Sequence, residues 1–124
     1  MWLISTEANF SSAHQLKGYP GECERLHGHN FRVRVTVETN KLQDLGFGMD
    51  FRELKSMLQD VIKKLDHRNL NELSEFKELN PSAENIAKLI WDNLNSEFRT
   101  QNSKLKEVQV WESDTNSVIY YESK

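Results

Sequence analysis

The sequence contains little of what several large protein classes depend on. It has a single cysteine, Cys23, among 124 residues, so no disulfide can form within the chain and a disulfide-stabilised scaffold is excluded. No apolar run approaches the roughly 18 residues of a membrane-spanning helix. The first ten residues also lack the basic start and the apolar stretch of a signal peptide. We therefore expect a cytoplasmic protein without a membrane contact.

An excess of charge of one sign is also missing. The 16 basic and 19 acidic residues nearly balance, at a formal net charge of -3. Because nucleic acids and acidic membranes attract proteins through a strong positive field, we expect no nucleic-acid partner. The length of 124 residues fits one domain, spanning residues 1–124.

Two predicted strands come first in the chain. The first covers residues 3–14, and the second covers residues 27–39 and alternates between apolar and polar side chains. Phe31 and three valines share one side of the second strand, whereas arginine, threonine and glutamate share the other. This alternation predicts a sheet with one buried face and one polar face.

Two predicted helices and two more strands follow. Asp50 is a good N-cap for the first helix, and proline in Asn80-Pro81 suits the first turn of the second. The predicted apolar stripe of the first helix consists of Phe51, Leu54, Leu58, Val61, Ile62 and Leu65. Further strands are predicted over residues 106–112 and 118–122. The order predicts an α+β domain in which both helices cover one face of a four-stranded antiparallel sheet.

Three histidines form the strongest candidate site. Residues two apart in a strand point to the same side, so His27 and His29 project together, and His14 ends the strand before them. If these strands pair as a hairpin, the three imidazoles converge at one end of the sheet. Three imidazoles suit zinc and leave a fourth position for water or substrate. The simpler interpretation is that these histidines only hydrogen-bond a loop.

Cys23 lies four residues before His27, in the segment CERLHGH. It could be a fourth ligand that closes a structural zinc site, or a general base or acid near the metal. A nearby positive charge lowers a thiol's pKa from about 8.5 towards neutrality. A third possibility is a small buried apolar residue, but the flanking residues are too polar to favour it.

Three other charged residues are candidates. Asp66 precedes His67 at the end of the first predicted helix, and a carboxylate beside an imidazole is a common device for proton transfer. A histidine there could equally serve only the helix dipole. Glu112 falls on the apolar side of its strand, so it needs a partner. That partner could be a ligand with N–H donors or Arg32 or Arg34, unless the strand end frays into solvent.

Several ordered motifs together resemble one family. They are His14, the segment CERLHGH at 23–29, DFRELK at 50–55, LDHRNLN at 65–71, NPSAEN at 80–85 and the late Trp111-Glu112 pair. These segments span nearly the whole chain and closely resemble the 6-pyruvoyl-tetrahydropterin synthase and 6-carboxytetrahydropterin synthase group. The resemblance implies the tunnelling fold, in which three four-stranded sheets join across subunits into a barrel. It further implies a homohexamer, a dimer of trimers, with active sites at subunit interfaces.

The resemblance also implies roles for individual residues. His14, His27 and His29 match the zinc ligands. Cys23 matches the catalytic thiol, and Asp66 with His67 matches its proton-relay partners. Glu112 matches the carboxylate that binds the N–H edge of the pterin. Ser82 and Glu84 align with a segment of the pterin pocket, although Ala83 stands where some members have a hydroxyl residue.

Loop length favours one branch of this group. Three residues separate Cys23 from His27, as in the bacterial 6-carboxytetrahydropterin synthases of queuosine and 7-deazapurine biosynthesis. The implied reaction is the zinc-dependent conversion of 7,8-dihydroneopterin triphosphate to 6-carboxy-5,6,7,8-tetrahydropterin, with release of acetaldehyde and triphosphate. Two alternatives stay open: a 6-pyruvoyl-tetrahydropterin synthase, and a non-catalytic zinc-stabilised module that binds a pterin.

Overall fold

A computed structural model describes residues 1–18, 25–98 and 102–123 of the chain. Within these ranges the elements are strands β1 (Trp2–His14) and β2 (His27–Thr39), helices α1 (Phe51–Ile62) and α2 (Ala83–Asn95), and strands β3 (Ser103–Trp111) and β4 (Ser117–Tyr120). The four strands form one antiparallel sheet in the order β1-β2-β3-β4. The predicted α+β class and element order are confirmed.

One face of the sheet is buried under the helices. Phe31, Val33, Val35 and Val37 of β2 have no exposed surface, as the alternation predicted. In the paired strands, Val33 lies opposite Val110 and Val35 opposite Val108. Helix α1 packs on β1, and α2 packs on β3 and β4. None of the helices within the described ranges is long and apolar enough to cross a membrane.

Strand β3 begins earlier than the alternation predicted. It starts at Ser103 instead of residue 106, because the register shifts opposite Thr36 and Val37. A bulge of this kind inserts one extra residue in a strand. Leu105 and Val108, three residues apart, therefore both lie on the buried side. Strand β3 ends at Trp111, and β4 covers Ser117–Tyr120 instead of residues 118–122.

Helix α1 begins where the sequence predicted, but one side chain of its predicted apolar stripe is exposed. The carboxylate of Asp50 accepts a hydrogen bond from the N–H of Arg52, at 2.8 Å, and caps α1. Leu54, Leu58 and Leu65 are buried as predicted, but Phe51 is 64% exposed. Phe51 has the angular position of the buried stripe, but as the first residue of α1 it lies at the end of the helix.

The second helix begins later than predicted. Its N-cap is Ser82, whose hydroxyl accepts a hydrogen bond from the N–H of Asn85. Pro81 therefore precedes the cap and is not part of the first turn. The reason is that serine, with its side-chain acceptor, can satisfy a free N–H at the helix start, which proline cannot do. This shift leaves the carbonyl of Pro81 available to another part of the chain.

Candidate functional site

The three candidate histidines converge at one end of the β1–β2 hairpin. His14, the last residue of β1, pairs with His27, the first residue of β2, and His29 pairs with Ser12. The ring centroid of His14 lies 4.6 Å from that of His27 and 5.2 Å from that of His29. Those of His27 and His29 lie 4.7 Å apart. The pairing register therefore creates the cluster that the sequence suggested.

Phe31 anchors this cluster to the core. Its ring contacts the rings of His14 and His29 edge-on, at centroid distances of 5.5 and 5.6 Å. Phe31 also stacks on Phe10 from the neighbouring strand. His14 is 1% exposed, so its ring is held by packing on the floor of the site.

Two backbone carbonyls orient two of the rings. His14 Nδ1 lies 2.7 Å from the carbonyl oxygen of Pro81, and His27 Nδ1 lies 2.7 Å from that of Arg25. A carbonyl oxygen only accepts, so each Nδ1 carries the proton and donates. In the neutral rings, each Nε2 then keeps its lone pair for another ligand. This is the outer-shell arrangement that fixes the tautomer of metal-binding histidines. No residue pattern in the sequence indicates either carbonyl.

Glu112 joins the cluster through its carboxylate. Its Oε1 atom lies 3.2 Å from His14 Nε2 and 3.0 Å from His29 Nε2. The two predicted arginine partners lie elsewhere: Arg34 pairs with Glu7 at 2.7 Å, and Arg32 covers the ring of Trp111. Glu112 follows β3 directly, and its N–H donates to the carbonyl of Asn116. The strand end is therefore not frayed.

His29 carries the polar atom that most clearly needs a ligand. Its Nε2 is buried and has no hydrogen-bond partner among the described residues. Glu112 Oε1 lies 3.0 Å from this nitrogen, but the two atoms do not form a hydrogen bond. Burial lowers the pKa of His29 below its ordinary value of 6.5, against the opposing effect of Glu112. The neutral, metal-binding form of the ring is therefore favoured near neutral pH.

The donor set suits a metal ion. One ligand atom from each of His14, His27, His29 and Glu112 lies within 4.8 Å of all the others. Imidazole nitrogens and a carboxylate oxygen are ligands of zinc and related divalent ions. The buried, unpartnered Nε2 of His29 is satisfied by such an ion, so the residues present fit the group. This site can hold a metal ion.

Asp66 and His67 lie at a tight turn after α1. His67 has a left-handed backbone with φ of 55°, and its N–H donates to the carbonyl of Ser11. Asp66 Oδ1 accepts from the N–H of Ser11 at 2.9 Å and lies 3.0 Å from His67 Nδ1. The pair is therefore fastened to the edge of β1. The His67 side chain is 82% exposed, and it lines an open cleft together with His29.

The contact with Ser11 predicts an acid-sensitive contribution to stability. The Ser11 N–H, and then the His67 side chain, hold the pKa of Asp66 below its ordinary value of 3.8. A lowered pKa stabilises the fold above the unfolded value, and this contribution is lost as the pH falls through the folded value. An Asp66→Asn variant should therefore unfold more readily than the wild type at pH 6. The difference should shrink below about pH 3.8. Urea unfolding from pH 6 to pH 3 tests this, and a constant difference would contradict it.

The remaining predicted site residues are Ser82, Glu84 and Cys23. Ser82 uses its hydroxyl to cap α2, and Glu84 is exposed in the first turn of that helix. The same segment contacts the cluster through the carbonyl of Pro81. Cys23 lies outside the described residues, which resume at Arg25, two residues before β2.

A family model described as 6-pyruvoyl tetrahydropterin synthase matches residues 3–123 of the chain. A protein named 6-carboxy-5,6,7,8-tetrahydropterin synthase, from Synechocystis sp., is 37% identical over 126 residues. The match covers 98% of this chain and 94% of that protein. A protein named dihydroneopterin monophosphate aldolase, from Pyrococcus furiosus, is 39% identical over 111 residues, covering 90% of both chains.

Solved structures agree with the fold. The structure of Caenorhabditis elegans 6-pyruvoyl tetrahydropterin synthase matches with a TM-score of 0.84 at 27% sequence identity. The match covers 99% of this chain and 98% of that chain. The three similar proteins thus carry names that describe three different reactions of pterins.

Proposed function

Because the chain belongs to the 6-pyruvoyl tetrahydropterin synthase family, we propose that it is a zinc-dependent 6-carboxy-5,6,7,8-tetrahydropterin synthase. In this proposal the substrate is 7,8-dihydroneopterin triphosphate, and the reaction belongs to queuosine and 7-deazapurine biosynthesis in the cytoplasm. The observation that carries the proposal is the convergence of His14, His27 and His29, with His29 Nε2 buried and unpartnered among the described residues.

Two observations support this branch of the family. Three residues separate Cys23 from His27, as in the bacterial carboxy-forming enzymes that the sequence resembles. The Synechocystis relative carries the name of that activity at 37% identity over nearly the full chain. The alternative, a 6-pyruvoyl tetrahydropterin synthase, is favoured by the match to the Caenorhabditis elegans structure.

Zinc bound by the three imidazoles would supply Lewis acidity towards the hydroxyls on the substrate side chain. Cys23, as a thiolate, takes a proton from the substrate side chain. His67 relays the proton across the cleft that it shares with His29. Asp66, 3.0 Å from His67 Nδ1, orients the ring. The overall reaction consumes one water and releases acetaldehyde, triphosphate and the 6-carboxy pterin.

The substrate's pterin ring needs its own acceptors. Glu112 would accept the N–H groups along one edge of the ring, because an ionised carboxylate forms short, strong hydrogen bonds with paired donors. Ser82 and Glu84 would lie along the same pocket, since their segment reaches the cluster through the Pro81 carbonyl. Their contribution is the least direct, because the Ser82 hydroxyl is already engaged as a helix cap.

The proposed assembly is a homohexamer, built as a dimer of trimers with active sites at the subunit interfaces. Strands β1 and β4 are the two edges of the sheet. Part of the β1 edge is already bonded within the chain. The carbonyl of Glu7 accepts from Lys55, and the backbone of Ser11 and Ala13 bonds to Asp66, His67 and Arg68. An uncovered edge offers its backbone groups to another strand. Joining β4 of one subunit to the start of β1 in the next, before Glu7, would close the three sheets into a barrel.

Product analysis tests the proposed reaction. The zinc-loaded protein should convert 7,8-dihydroneopterin triphosphate to a 6-carboxy pterin, seen by mass analysis, with equimolar acetaldehyde. Elimination of triphosphate without acetaldehyde would instead identify the pyruvoyl-forming reaction. Release of a glycolaldehyde phosphate from dihydroneopterin monophosphate would identify an aldolase like the Pyrococcus furiosus protein. Zinc and pterin binding without any turnover would identify the non-catalytic module, and any of these three results would contradict the proposal.

A further inference from the structure

The position of Glu112 has a consequence for the metal centre itself. We propose that Glu112 is the fourth metal ligand when no substrate is bound, and that the hydroxyls of the substrate displace it. The displaced carboxylate then becomes the acceptor for the pterin N–H groups. This inference rests on the proposed function, because it concerns the same site and the same class of substrate.

The distances agree with shared coordination of one ion. In a tetrahedral site with ligand bonds of 2.0–2.1 Å, neighbouring ligand atoms lie about 3.3 Å apart. Glu112 Oε1 lies 3.2 Å from His14 Nε2 and 3.0 Å from His29 Nε2. Despite its short distance, the contact to His29 is not a hydrogen bond. The two imidazole nitrogens and the carboxylate oxygen are therefore spaced like neighbouring ligand atoms of one metal ion.

The four donors differ in how firmly they are held. His14 is buried and bonded to the Pro81 carbonyl, and His27 is bonded to that of Arg25. The ring of His29 packs edge-on against Phe31. The Glu112 side chain is 34% exposed, and within the described residues its carboxylate forms ion pairs with His14 and His29. Glu112 is therefore the donor that can leave while the three imidazoles stay in place.

In this exchange, substrate binding would change which oxygen atoms coordinate the metal. Before substrate arrives, a carboxylate ligand raises the affinity for a divalent cation and keeps the fourth position from water. After displacement, the same carboxylate is free to accept the N–H groups of the pterin edge. A pterin without side-chain hydroxyls would then bind weakly, because nothing replaces Glu112 on the metal.

The test compares Glu112→Gln with Glu107→Gln, which changes a carboxylate on the same strand. Glu107 pairs opposite Thr36, away from the cluster. Zinc affinity is measured by competition with a chromophoric chelator, and coordination is read from the visible spectrum of the cobalt-loaded protein. Glu112→Gln should weaken zinc binding by about 10-fold or more and change the cobalt spectrum. Glu107→Gln should do neither, and Glu112→Asp should recover part of the affinity.

A further addition tests displacement. Dihydroneopterin, which has the hydroxyls but no triphosphate, should change the spectrum of the cobalt-loaded wild type. Unaltered zinc affinity and spectrum in Glu112→Gln would overturn the inference, even if that variant turned over poorly. Conversely, a protein that shows the Glu112-dependent spectrum but makes no pterin product would keep the inference and refute the proposed function.

Discussion

Replacing Cys23 with alanine should lower turnover of 7,8-dihydroneopterin triphosphate by about 10²- to 10⁴-fold, the usual contribution of a positioned general base. The zinc content should stay at that of the wild type, because three imidazoles and Glu112 already supply a complete donor set. Metal analysis and steady-state kinetics on the same preparation separate the two quantities.

The comparison of metal content with turnover distinguishes the open interpretations of Cys23. If Cys23→Ala loses its zinc, the thiolate is a structural ligand and the proposed proton transfer is wrong. If it keeps both zinc and full activity, Cys23 has neither role. A Cys23→Ser variant is the matched control for size. It should be as slow as the alanine variant, because a hydroxyl is far less acidic than a thiol.

Replacing His27 with alanine should remove the metal and abolish turnover, by about 10³-fold or more, since Lewis-acid stabilisation is worth several kcal/mol. His27 is the better test among the three imidazoles. It is only partly buried, whereas His14 is 1% exposed and also bonds to Pro81. Its replacement should therefore leave the fold largely intact, which circular dichroism can check.

His67→Ala is the matched control for this loss. His67 is exposed and lies outside the group of potential ligands, so its variant should keep wild-type zinc content and lose only turnover. Added zinc should not rescue either variant at concentrations that saturate the wild type. Wild-type metal content in His27→Ala would show that His27 is not needed to hold the ion.

The fold could be predicted because its pattern is local. Alternation in β2 set the buried face, and it agrees with the complete burial of Phe31, Val33, Val35 and Val37. The errors occurred at two places, one where strand pairing overrides the local pattern and one where a second local signal competes with the first. The bulge opposite Thr36 and Val37 moved the start of β3, and the side-chain acceptor of Ser82 moved the start of α2 past Pro81.

The candidate site was predictable only in part. The spacing of His27 and His29, together with the position of His14, was sufficient to suggest their convergence, because strand pairing carries side chains to a common end. Glu112 was noticed as a misplaced carboxylate, but its histidine contacts depend on the packing of β3 against β2. The Pro81 and Arg25 carbonyls are backbone groups, which no residue pattern marks.

X-ray absorption at the zinc edge of the substrate-free protein tests the central claim most directly. Three imidazoles and an oxygen ligand should give a first shell of nitrogen and oxygen atoms at about 2.0–2.1 Å, with the outer-ring scattering of histidine. A sulfur scatterer at about 2.3 Å would mean that Cys23 closes the site. That result would contradict a fourth position open to the substrate, and a first shell without imidazoles would contradict the three-histidine centre. The proposed reaction depends on both.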